Sequence, residues 1–82
     1  MFYYYDYNPN NKIDVMSYRR QLNIPNELVP KAFIGLYINE LDTETKIELI
    51  DIHPHEYIKS INAYYLKTEI DTDVIVIYSV FD

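Results

Sequence analysis

The chain has 82 residues, 49% of them hydrophobic, with thirteen acids against seven Lys and Arg and a formal charge of −6. That length makes one small domain with a marginal core, burying about 60 to 65% of its unfolded surface. Zero Cys excludes a disulfide framework and a thiolate metal site, and the acidic balance repels a nucleic-acid backbone while favouring partners with basic surfaces.

Ten tyrosines and no Trp or Cys lean the composition toward binding rather than chemistry, because tyrosine couples a rigid apolar ring to a polar tip. The N-terminus has neither the basic start nor the apolar run of a signal peptide, and no window approaches 18 uncharged apolar residues. The expectation is a soluble, cytoplasmic protein without membrane contact. Ile, Val, Leu, Phe and Tyr are spread along the whole length, unlike a disordered acidic tail. With no covalent staple available, a homodimer is the expected route to further buried area.

Residues 2–7 read as a strand from their aromatic content, stopped by Asn8-Pro9-Asn10-Asn11. Over residues 12–22, Val15, Tyr18 and Leu22 make a helical stripe, although Met16 and Tyr18 also fit one face of a returning strand; the helix is preferred. Pro25 and Pro30 mark a connector. Ile34, Leu36 and Ile38 alternate as a strand, and residues 46–52 read as its hairpin partner across Asp42-Thr43-Glu44-Thr45. Pro54-His55-Glu56 reads as the start of a helix reaching about Leu66, with Tyr57, Ile58, Ile61, Tyr64 and Tyr65 along one side. Residues 73–81, apolar on both faces and rich in β-branched side chains, read as a central strand.

This order predicts an α+β fold: a four-stranded antiparallel sheet with two helices on one face, the ferredoxin-like βαββαβ arrangement, in a single domain over 1–82. Were residues 12–22 a strand, the fold would remain α+β with an N-terminal β-hairpin and one or two helices.

Two acidic triplets stand out, Glu40, Asp42, Glu44 and Glu69, Asp71, Asp73. In extended chain the i, i+2, i+4 spacing sets each triplet on one side, and the predicted topology gathers both at one end of the sheet, beside the Asn8 to Asn11 loop. The patch would meet a basic groove or imitate nucleic-acid phosphates; the alternative is that acids in turns only keep strand edges soluble. Tyr3, Tyr5 and Tyr7 share one strand face, predicting an aromatic row either open for a partner or covered as ordinary core.

His53-Pro54-His55-Glu56 is the one cluster of metal-ligand residue types. It lacks the three or four convergent ligands a zinc site needs, and no metal or cofactor is expected. Ser17, Ser60 and Ser79 have no nucleophile motif around them, and the lone Gly35 excludes a Gly-rich phosphate loop, so no enzyme activity is expected.

Arg20-Gln21-Leu22-Asn23-Ile24-Pro25-Asn26-Glu27-Leu28 resembles the signature of bacterial swapped-hairpin transition-state regulators and related antitoxins. The resemblance spans about nine residues and implies a DNA-binding dimer with basic arms, from which this chain departs in its acidity and aromatic N-terminus. The leading expectation is a non-enzymatic acidic inhibitor or antitoxin-like protein, of the kind phages and mobile elements carry, that blocks a basic partner through Tyr3, Tyr5, Tyr7 and the two triplets. The alternatives are a swapped-hairpin DNA-binding regulator and a small structural subunit of a larger complex.

Overall fold

The computed structural model describes the backbone at residues 2–3 and 5–80, and side chains from Tyr5 to Val80. Along the chain run β1 (Phe2–Tyr3), α1 (Lys12–Gln21), β2 (Ala32–Tyr37), α2 (Thr43–Glu48), β3 (Tyr57–Ile58), β4 (Ala63–Glu69) and β5 (Val74–Ser79). The strands form one antiparallel sheet in the order β1-β2-β5-β4-β3. The α+β class holds. The ferredoxin-like order does not: the expected third strand, over 46–52, overlaps α2, and the expected second helix is the β3–β4 pair.

α1 begins where Asn11 caps it, the Asn11 side chain accepting from the amides of Ile13 and Asp14. It ends at Asn23, which takes the left-handed conformation at φ 55° while its amide and that of Ile24 bond back to the carbonyls of Arg20 and Arg19. Among the described residues the other left-handed positions are Asp51, His55, Asn62 and Asp73, so Asn, Asp and His make turns that glycine commonly makes. The single Gly35 sits instead inside β2, opposite Val76.

β5 is the centre of the sheet, with Val74 to Tyr78 all buried. One face carries Phe33, Val74, Val76 and Tyr78, joined by Leu66 and Ile24, and Tyr5, Tyr7, Tyr18 and Leu22 pack on it. The other carries Ile58, Ala63, Ile75 and Ile77, against which Ile34, Leu36, Leu41, Leu49, Ile52 and Tyr65 pack. The two helices therefore lie on opposite faces, not on one. With apolar cover on both sides, β5 shows the unbroken hydrophobic run of a strand buried on both faces.

Two local causes explain the exchanged elements. Asp42 caps α2, its carboxylate accepting from the Thr45 amide at 2.9 Å, and Thr45, Leu49 and Ile52 then follow at helical spacing on the inner side. The alternation of Ile47 and Leu49 against Glu48 and Ile50 suggested a strand, but Ile47 and Ile50 both point outward, at 61% and 68% exposure. In residues 57–69 the spacing of Tyr57, Ile58, Ile61, Tyr64 and Tyr65 imitates a helix. There the left-handed Asn62 turns the chain, Ile58 and Tyr65 serve one sheet face, and Tyr57 and Tyr64 pair on the other with ring centroids 5.3 Å apart. A bulge between Tyr65 and Lys67 shifts the alternation once more.

The expected strand over 2–7 is seen as Phe2–Tyr3, with Tyr4 outside the described residues; Phe81 at the end of the last expected strand is outside them too.

Candidate functional site

The first expected site does not form as read. β1 runs antiparallel to β2 with Phe2 opposite Gly35 and Tyr3 opposite Ile34, so the chain leaves it toward Ala32. There the Tyr7 hydroxyl donates to the Pro30 carbonyl at 2.8 Å. Glu69, Asp71 and Asp73 lie at the other end, where Tyr37 and Glu69 both flank Val74. The tyrosine segment and this triplet thus occupy opposite ends of the sheet.

Tyr5 and Tyr7 are half-buried rather than an open row. Their rings meet Phe33 edge-on at 5.1 Å and 5.0 Å, and Tyr18 joins both while its hydroxyl donates to the Asp6 carbonyl. Such ring pairs contribute about 0.5–1.5 kcal/mol each beyond the area they cover. The side chain of Tyr3 is outside the described residues. Burial, and then the charge of Asp14, push the Tyr7 hydroxyl above its ordinary range, as suits a phenol that donates inward.

Neither triplet is extended. Residues 70–72 form a 3-10 turn, Asp73 is left-handed, and Glu44 lies in the first turn of α2, so the i, i+2, i+4 argument does not hold for either. The Ile38 amide donates to the Asp73 carbonyl, which brings the start of the first segment beside the end of the second. Lys67 pairs with Glu69 at 3.4 Å.

From there the chain turns back over the α2 side of the sheet and opens a groove of about 530 Å³. Its apolar floor is Ile34, Leu36, Ala63 and Ile77, with Ser79 at the end of the same strand face, and the exposed Glu40 and Asp42 stand at its rim. Cap bonding from Thr45 holds the Asp42 carboxyl below its ordinary range, so this rim acid stays charged well into acid conditions. Sequence reasoning named Glu40 and Asp42 but missed the floor. The alternation of Ile34, Leu36 and Ile77 marks one sheet face, yet which part of that face is left open depends on where α2 lands.

A hydroxyl relay fixes the wall of the groove. The Ser60 amide and hydroxyl both donate to Glu48 Oε2, at 3.0 Å and 2.9 Å, and Ser60 Oγ lies 2.8 Å from the buried Thr45 Oγ1. The relay ties α2 to the turn between β3 and β4. Ser60→Ala should cost about 1–3 kcal/mol in urea unfolding, since Thr45 loses its hydroxyl partner in a buried site. A change near zero would mean that the relay does not hold the wall.

The histidines separate. His53 Nδ1 meets Glu56 Oε1 at 3.0 Å at the surface, while His55 turns inward, its Nδ1 2.7 Å from the Tyr78 hydroxyl. Among the described residues no group of three or more His, Cys, Asp or Glu could hold a metal ion. Burial lowers the His55 pKa below its ordinary 6.5, partly offset by a hydrogen bond to the Leu22 backbone. The unfolded chain therefore takes up the proton first as pH falls through 6.5, and the folded state loses stability until its own lower pKa is passed. Thermal midpoints should fall between pH 7 and pH 5.5 (about the range over which a free imidazole titrates), and His55→Asn should flatten that slope.

No helix of the described residues is long and apolar enough to cross a membrane. No family model matches the chain, and no curated protein or solved structure matches it.

Proposed function

We propose that the chain is a non-enzymatic protein-binding module, a small acidic inhibitor or antitoxin-like protein that blocks a basic, nucleic-acid-processing or toxic partner. The acid-rimmed apolar groove is the observation that supports this reading. Its floor offers area that gains from being covered, and Glu40 and Asp42 select a Lys- or Arg-bearing segment over a neutral one. An apolar anchor flanked by bases is the complementary occupant.

The test is affinity capture from the native host with the tagged chain, beside a Glu40→Lys, Asp42→Asn variant that keeps a competent helix cap. The wild type should retain a basic protein that the variant does not. Competing DNA or RNA should displace that protein if the groove acids imitate phosphates, and leave it bound if the contact is protein-specific. Equal retention of the same protein by the variant would overturn the reading.

A further inference from the structure

α1 carries a surface of the opposite character. Ile13 and Met16 are 77% and 57% exposed, and with Arg20 they form one stripe at i, i+3, i+7. Two shallow hollows flank Met16, one lined with Arg19, Arg20, Ile24 and Asn26, the other with Ile13, Ser17, Arg20 and Gln21. Three of the chain's seven bases, Lys12, Arg19 and Arg20, lie on this one helix. Its single acid, Asp14, accepts from the Asn8 amide. On a chain of net charge −6, α1 is thus a basic and apolar stripe, the kind of segment that the groove would take.

We infer that the groove of one copy receives the Ile13, Met16, Arg20 face of α1 from a second copy, in a head-to-tail contact. Charge selects this pairing over the symmetric ones: α1 against α1 opposes bases to bases, and groove against groove opposes Glu40 and Asp42 to themselves. α1 and the groove lie on opposite faces of the sheet, so one chain cannot satisfy both surfaces by itself. A heterologous contact of this kind propagates or closes into a ring. The inference rests on the groove being a docking surface, and adds its occupant and a means of regulation, since self-association would occlude the groove from an outside partner.

Sedimentation velocity of the full chain over rising concentration tests it. The wild type should form species larger than a dimer and lose them as salt rises. Met16→Glu and the Glu40→Lys, Asp42→Asn variant should each weaken association by roughly tenfold or more while keeping the wild-type circular dichroism. Mixed, the two should form a one-to-one dimer and nothing larger, because only one intact groove and one intact α1 face remain per pair. A monomeric wild type, a Met16→Glu chain that associates normally, or a mixture without the heterodimer would each overturn the inference. Capture of an outside partner by Met16→Glu would still stand, so failure here is distinguishable from failure of the proposed function.

Discussion

Tyr78→Ala should destabilise the chain by about 3–5 kcal/mol, a loss large enough to leave much of an 82-residue domain unfolded when total stability is roughly 4–12 kcal/mol. Tyr78 is fully buried at the centre of the sheet, stacked on Tyr64 at 5.7 Å and tilted against Phe33 at 5.8 Å. Its removal opens a cavity under both α1 and the tyrosines that pack on Phe33. Tyr78→Phe keeps the ring and removes only the hydroxyl, which leaves His55 Nδ1 without its partner, and should cost about 1–3 kcal/mol. Urea unfolding of both variants checks the pair; an alanine variant within about 1 kcal/mol of wild type would remove Tyr78 from the centre of the account.

The same residue shows how far the sequence could be read. The run from Val74 to Tyr78 is apolar at every position, which only a strand covered on both faces tolerates, and the strand was legible for that reason. α1 was legible through the Val15, Tyr18, Leu22 stripe, and the Asn11 cap that starts it is the signal that was passed over. The order of the middle third was not. Residues 42–52 and 57–69 each carry apolar residues at spacings that suit both periods, and neither is long enough for periodicity to decide. The Asp42 cap three residues before Thr45 was the signal for a helix, and left-handed Asn62 was the break that stopped one. Because α2 falls on the face opposite α1, the acids at 40 and 42 border an apolar floor.

The second large effect should come from the groove rim. Glu40→Lys with Asp42→Asn removes two negative charges and adds one positive charge beside Ile34, Leu36, Ala63 and Ile77. Affinity for a basic partner should fall by about ten- to a hundredfold, or roughly 1.4–2.8 kcal/mol, with most of the change in how steeply binding weakens with salt. Stability should change little, because Asn retains the cap on α2. Isothermal titration at two ionic strengths separates the terms: the salt slope should be shallower in the variant, and an unchanged slope would show that these acids do not face the partner.

Amide chemical-shift mapping of the isotope-labelled chain, as the captured partner is added, shows whether the groove is where that partner docks. Shifts should concentrate at Ile34, Leu36, Leu41, Thr45, Ile61, Asn62, Ala63 and Ile77, the lining of the groove. Shifts centred on Tyr5, Tyr7 and Asp6, with the groove amides unmoved, would contradict it and return the binding surface to the aromatic N-terminus.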